Sequence, residues 1–175
     1  PAEFVFECTG EQTTGTLKAG LTLPGGGVAT VTWTINGVAA PTTTVTVPDS
    51  GTAMELTHVG QFHFGSPNNA KVRVVSGNFT VERPTVVTIM DTTAPTITLN
   101  GTSPTTIEWG TIYSDAGAAV TDICDPSPSL TVTLPFPAGE IYPIGTYSIS
   151  YKATDSSGNV ATATRVLYVV DTVPP

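Results

Sequence analysis

A short proline-containing segment occurs twice in the sequence, at residues 91–95 (DTTAP) and 171–175 (DTVPP). Each copy follows an apolar run rich in β-branched residues, 86–90 and 166–170. Proline has no amide donor and a fixed φ, so such a segment leaves a sheet and continues in an extended conformation. We interpret it as a joint between domains. The spacing predicts domains at 1–90 and 91–175, and we expect the chain to be part of a longer tandem array.

The composition favours strands over helices. Only 11% of the residues are charged, and the chain contains 17 Gly and 15 Pro. Abundant Thr and Val favour strands, while Gly and Pro divide them into short pieces. No long stretch keeps apolar residues at helical spacing. The sequence therefore predicts an all-β chain of two tandem β-sandwiches joined by a short proline-containing linker.

The charge is acidic and unevenly distributed. The formal net charge is −8 and the pI is near 4.4, which argues against a nucleic-acid partner, because binding phosphates requires clustered Lys and Arg. Six acidic and four basic residues fall in 1–90, whereas eight acidic and two basic residues fall in 91–175. We therefore look for bound cations in the second half. No apolar run is long enough to span a membrane, and we expect any secretion signal or anchor to lie outside this segment.

Local patterns predict particular strands. Residues 28–35 (VATVTWTI) alternate apolar and polar side chains, which indicates a strand with Trp33 facing the core. The dipeptide 36–37 (NG) that follows is a strong hairpin signal. In the second half, residues 145–153 and 160–170 predict a long hairpin, on which Tyr147 is placed to bind a loop through its hydroxyl. Further strands are predicted at 55–59, 61–64, 96–99, 105–107, 111–113 and 130–134.

These patterns resemble known families. Residues 7–10 (ECTG) and 31–37 (VTWTING) make the first half similar to polycystic-kidney-disease-like and hyalin-repeat-like (PKD/HYR-like) modules. Residues 91–95, 97–101, 121–122 and 145–159 (GTYSISYKATDSSGN) make 91–175 similar to a bacterial immunoglobulin-like (Ig-like) domain. The resemblance implies an extracellular module of the kind that occurs in tandem in adhesins, surface-layer-associated proteins and secreted multidomain enzymes.

Acidic residues of the second half suggest a metal site. In an Ig-like sandwich the start of the first strand and the loops after the second and penultimate strands share one end. Those places hold Asp91, Asp122, Asp125, Asp155 and Asn159. Their oxygens suit Ca²⁺, which takes about six to eight oxygen ligands, and the ion would also stiffen the joint. The alternative is that these side chains only cap turns by hydrogen-bonding nearby backbone amides.

The two cysteines, Cys8 and Cys124, fall in different predicted domains. Three states are open: a bridge between them, a bridge to another chain, or two buried free thiols. A bridge within the chain would reinforce the joint, but it requires Cα atoms within about 7 Å.

No residue pattern indicates catalysis. His58 and His63 have no metal-ligand spacing and are predicted to face solvent on a strand. No Gly-x-Ser-x-Gly motif occurs, and Glu108 and Glu140 are interpreted as surface acids rather than a glycosidase pair. We expect that the chain is not an enzyme.

The sequence thus favours a structural and adhesive module pair of an extracellular, cell-surface protein, stalk or fibre. Its partners would be neighbouring Ig-like modules or further copies of the chain, which could extend into a filament through an edge strand. The alternative is a carbohydrate-binding accessory region of a secreted hydrolase, in which Trp109 would contact a glycan. Asn78 and Asn100 lie in N-glycosylation patterns, so glycans are also possible adducts.

Overall fold

The computed structural model describes residues 2–10, 12–22, 25–49, 53–66 and 68–174. It contains two compact units, Pro1–Asp91 and Thr92–Pro175. The described residues form strands, turns and loops and no helix, in agreement with the all-β prediction. No helix in this part of the chain has the length and apolar character needed to cross a membrane.

The first unit is a β-sandwich of two sheets. The larger sheet has the order β1-β8-β7-β3-β4, with β5 also paired to β3, and the smaller sheet consists of β2 and β6. The first strand runs parallel to the last, whereas the other pairs are antiparallel. The strands are β1 Ala2–Glu7, β2 Gln12–Leu21, β3 Gly27–Ile35, β4 Val38–Ala39, β5 Thr43–Val47, β6 Met54–His63, β7 Asn68–Ser76 and β8 Phe79–Met90.

Side chains from both sheets fill the core of this unit. Val31 and Trp33 of β3 are buried, as the alternation in 28–35 predicts, and they share the core with Leu17 and Phe62 of the smaller sheet. The predicted 36–37 turn joins β3 to β4, and its two residues have φ of 49° and 84°. Two consecutive positive φ values are the conformation for which Asn-Gly is favoured in a two-residue hairpin.

Two expectations for β6 are wrong. The sequence predicts separate strands at 55–59 and 61–64, but one strand runs from Met54 to His63 because Gly60 pairs with Gly15 of β2 without interruption. His63 is exposed as predicted. His58 instead shares the core-facing side of the strand with Leu56 and Phe62, and its ring stacks on Trp33 at 5.8 Å between centroids.

The second unit has the same general plan. One sheet has the order β10-β14-β13-β12 with β10 parallel to β14, and the other consists of β9 and β11. The core includes three buried tyrosines and three aliphatic residues, Tyr113, Tyr142, Tyr151, Ile149, Leu167 and Val169. The strands are β9 Thr96–Leu99, β10 Thr105–Glu108, β11 Ala118–Thr121, β12 Ser129–Thr133, β13 Gly145–Thr154 and β14 Val160–Val170.

Most predicted strands of this unit are present, and two details differ. The predicted strand at 111–113 is reduced to an isolated bridge between Ile112 and Ile141. Conversely, β11 was not predicted, because its four residues (AAVT) give little local signal and are ordered by pairing with β9. The long β13–β14 hairpin agrees with the predicted one.

Candidate functional site

The loop after β11 is organised around Asp122. Its Oδ1 accepts hydrogen bonds from the backbone amides of Cys124 at 2.8 Å and Asp125 at 2.9 Å. Asp125 in turn accepts the amide of Ser127 on Oδ1 at 2.8 Å and the amide of Ser156 on Oδ2 at 2.7 Å. Ser156 lies in the β13–β14 loop, so Asp125 ties together the two acidic loops of the unit.

The β13–β14 loop is closed by Asp155 and Asn159. The Asp155 carboxylate accepts the Asn159 backbone amide at 2.8 Å and its side-chain amide at 2.9 Å, and the Asp155 amide donates to the Asn159 carbonyl at 3.1 Å. Burial disfavours the charged carboxyl, but the hydrogen bonds from Asn159 and the following backbone amides outweigh this effect, so the pKa of Asp155 lies below its usual range. These contacts are those expected of turn-capping residues.

One carboxylate oxygen of these loops is not used in this way. Oδ2 of Asp122 is shielded from solvent and has no hydrogen-bond partner among the described residues. A buried oxygen of this kind is costly unless a donor or a cation meets it. Within the described part of the second unit alone, no three His, Cys, Asp or Glu ligand atoms lie within 4.8 Å of one another. Asp91 is buried and belongs to the first unit, so the predicted five-residue calcium site stays a prediction.

Both cysteines are buried and neither is a free thiol. Cys8 is 3% exposed and Cys124 is 9% exposed, and both are in the disulfide form. The pairing of Cys8 with Cys124 stays a prediction.

The most extensive polar network of the second unit centres on Arg165, which the sequence analysis did not single out. Its side chain is only 2% exposed, and its Nε lies 3.3 Å from Oδ1 of Asp115. Nη2 donates to the carbonyls of Asn100 at 2.6 Å and Gly117 at 2.9 Å, and Nη1 donates to that of Thr102 at 3.2 Å. One guanidinium group therefore holds both the loop that follows β9 and the segment that precedes β11.

Asp115 completes this network. It accepts the hydroxyls of Tyr113 and Tyr151 at 2.8 and 2.7 Å and the amide of Gly117 at 2.9 Å. Burial disfavours its charged form, but these hydrogen bonds and the positive charge of Arg165 outweigh that effect and lower its pKa. Burial and the adjacent carboxylate raise the pKa of Tyr113, so its hydroxyl remains a donor. All of these groups bind one another, which indicates a structural role.

Other predicted residues have structural or surface positions. The Tyr147 hydroxyl donates to the Pro143 carbonyl at 2.8 Å, as the sequence predicts for a tyrosine at this place. Trp109 has 55% of its surface exposed. Glu108 accepts hydrogen bonds from Thr172, which lies on the segment after β14. Glu140 is exposed.

Residues 97–169 match the family model for the bacterial surface protein Ig-like domain. This match confirms the resemblance of 91–175 to bacterial Ig-like domains, and it covers most of the second unit. The family indicates an extracellular structural module, placed at the cell surface or outside the cell. Ig-like families are typically non-catalytic.

Comparison with solved structures finds similarity to domains of titin and of Drosophila OTK. The titin domains z1z2, solved in complex with telethonin, share 19% identity, with 98% of this chain and 94% of that chain covered and a TM-score of 0.46. Extracellular domains 3–5 of Drosophila OTK share 11% identity, with 100% and 66% covered and a TM-score of 0.39. No curated protein matches the chain.

Proposed function

We propose that the chain is a structural and adhesive module pair of a bacterial surface stalk, adhesin or fibre, and that its task is to keep an extended shape. The observation that carries this proposal is the match of residues 97–169 to bacterial surface Ig-like domains. The repeated proline-containing segment supports it, because proline and the residue before it have few accessible conformations. Neighbouring Ig-like modules or further copies of the chain are the proposed partners.

We further propose that Ca²⁺ stiffens the joint, with ligands drawn from Asp91, Asp122, Asp125, Asp155 and Asn159. Support comes from Oδ2 of Asp122, which is shielded from solvent and has no hydrogen-bond partner among the described residues. A divalent cation would supply the positive charge that this oxygen lacks. Asp125 and Asp155 already accept backbone amides, but a carboxylate oxygen has two lone pairs and can also bind a metal.

Thermal unfolding of the whole chain with Ca²⁺ and with chelator tests this proposal. A site present only in the folded state adds about 2.7 kcal/mol at a free ion concentration of 100 Kd. For a domain of this size that corresponds to a rise in Tm of roughly 11–22 °C. Asp122→Asn keeps an oxygen for the two loop amides but removes the charge, so it should abolish the rise.

The matched control is Asp49→Asn, which makes the same charge change at an exposed residue of the first unit. It should keep the full calcium response. Asp155→Ala is a poorer test, because Asp155 closes the β13–β14 loop and its loss destabilises the unit with or without metal. A wild-type response to Ca²⁺ in Asp122→Asn would reject the site.

We also propose that Cys8 and Cys124 are bridged to each other. Support comes from their disulfide form and from the absence of any further cysteine in the sequence. A non-reducing mass measurement after proteolysis should detect one peptide pair that contains both residues, in a monomeric chain. A disulfide-linked dimer or two labelled thiols would exclude the bridge.

A carbohydrate-binding function is the alternative, and the exposed indole of Trp109 is the observation that favours it. Exposed aromatic rings are suited to stacking on apolar faces of ligands. This alternative predicts saturable binding to a soluble polysaccharide. Trp109→Ala should abolish the binding, whereas Ile112→Ala, a change at another exposed residue of the same loop, should leave it intact. Absence of binding across plant, algal and bacterial polysaccharides would eliminate it.

A further inference from the structure

The chain that leaves the second unit is held by a carboxylate. Glu108 is the last residue of β10, and Oε1 accepts the Thr172 backbone amide at 2.5 Å while Oε2 accepts the Thr172 hydroxyl at 2.9 Å. Thr172 lies two residues beyond the end of β14. Both oxygens of one side chain therefore bind a single residue of the segment that follows the last strand.

The position of Glu108 explains how it reaches this segment. In the parallel β10–β14 pair, Glu108 is opposite Val170, and the next amide, of Trp109, donates to the Val170 carbonyl at 2.6 Å. The strand pair thus ends where the segment that leaves the unit begins, and we call residues 171–174 the exit segment. A carboxylate placed there reaches the backbone two residues further on, and charged acceptors make stronger hydrogen bonds than neutral ones.

The first unit repeats this arrangement in sequence and register. Glu7 is the last residue of β1, lies opposite Met90 in the parallel β1–β8 pair, and is followed by Cys8, whose amide donates to the Met90 carbonyl at 2.6 Å. Thr92 occupies the sequence position of Thr172, two residues after the last strand. The same strand register and the same spacing of glutamate and threonine therefore recur in the first half of the chain.

We propose that Glu108 is a positioning residue that fixes the direction in which the chain leaves the second unit. Glu108 immobilises Thr172, the following Val173 is restricted to extended conformations because it precedes Pro174, and Pro174 has a fixed φ. Three consecutive residues of the exit segment thus lose their freedom, whereas residues beyond the last strand of a domain are ordinarily poorly ordered. The inference deepens the proposed spacer function and rests on it for its purpose, but the contacts are independent of calcium.

The test measures backbone order and amide exchange of the whole chain by NMR in chelator. In the wild type we expect an order parameter near that of rigid backbone, about 0.85, at Thr172 and Val173. In Glu108→Ala the order parameter of both residues should fall below about 0.6. Exchange of the Thr172 amide should accelerate by about tenfold or more, because a hydrogen bond to a charged group is lost.

Glu140→Ala is the matched control, since it removes another carboxylate from an exposed position of the same unit. It should leave Thr172 unchanged. Protection of the buried Ile149 and Leu167 amides reports whether the unit is folded. If Glu108→Ala does not fold, Thr172→Val, which loses only the hydroxyl, decides: it should lower the order of residue 173.

Unchanged order and exchange at Thr172 in folded Glu108→Ala, or no change at residue 173 in Thr172→Val, would overturn the proposal. The calcium dependence of Tm reports separately on the proposed metal site, so a negative result for Glu108 does not affect the test of the metal site, and the reverse also holds.

Discussion

Replacing Asp115 by Asn should destabilise the second unit more than any surface substitution. The change removes the negative partner of Arg165, whose side chain is 2% exposed, while Asp115 itself is 12% exposed. Arg165 cannot move to water without releasing the carbonyls of Asn100, Thr102 and Gly117. An uncompensated charge would therefore remain inside the unit.

The size of the effect follows from the burial. Removing one partner of a buried ion pair costs about 3–5 kcal/mol, and the partial exposure of Asp115 favours the lower end, about 3 kcal/mol. For a domain of this length the Tm should fall by roughly 12–24 °C. The double variant Asp115→Asn/Arg165→Met removes both charges. Its loss of unfolding free energy should be smaller than the sum of the losses in the two single variants by about 1 kcal/mol or more.

Urea unfolding followed by exchange of the buried β13–β14 amides measures the stability of this unit separately from the first. Asp171→Asn, a matched change at an exposed residue, should stay within about 0.5 kcal/mol of the wild type. A loss below about 1 kcal/mol in Asp115→Asn, or strictly additive single and double variants, would refute the argument that the pair is electrostatically coupled.

Three further predictions follow from the geometry. The pKa of Asp115 is lower in the folded unit than in the unfolded chain, so its contribution to stability should be complete at neutral pH and should disappear as the pH falls below about 4 towards the folded pKa. Urea unfolding midpoints measured against pH should show this loss in the wild type and a flatter profile in Asp115→Asn. Gly15→Ala should cost about 1–3 kcal/mol, because a Cβ there would lie 2.4 Å from Cε2 of Phe6; Gly20→Ala in the same strand, where the nearest atom is at 3.7 Å, is the control for thermal unfolding. Tyr147→Phe should cost about 0.5–1.5 kcal/mol by removing the bond to the Pro143 carbonyl.

Each of these three has a result that contradicts it. Parallel pH profiles for the wild type and Asp115→Asn would show that another group governs acid unfolding. Equal stabilities of Gly15→Ala and Gly20→Ala would mean that Phe6 moves aside without cost. A Tyr147→Phe variant as stable as the wild type would show that water replaces the hydroxyl bond.

The sequence by itself determined the features that depend on neighbouring residues. Alternation in 28–35 located β3 and its buried Trp33, and the Asn-Gly pair located the turn that follows, because strand faces and turn conformations are set by adjacent residues. The same local reasoning placed β14 at Val160–Val170 and gave Tyr147 its hydroxyl contact. The repeated 91–95 segment predicts the division of the chain into domains at 1–90 and 91–175.

Only the tertiary structure decided which distant groups meet. The short β11 is ordered by its pairing with β9. His58 faces the core because its ring stacks on the ring of Trp33. The sequence analysis did not single out Arg165, yet this residue is buried because Asp115 and three carbonyls, up to 65 residues away, bind its side chain. The acidic loops show the same limit. Their positions in the sequence predict that the carboxylates lie at one end of a sandwich. Only the packing of the loops determined that Asp125 and Asp155 accept hydrogen bonds from amides, while one oxygen of Asp122 is buried without a hydrogen-bond partner in the described chain.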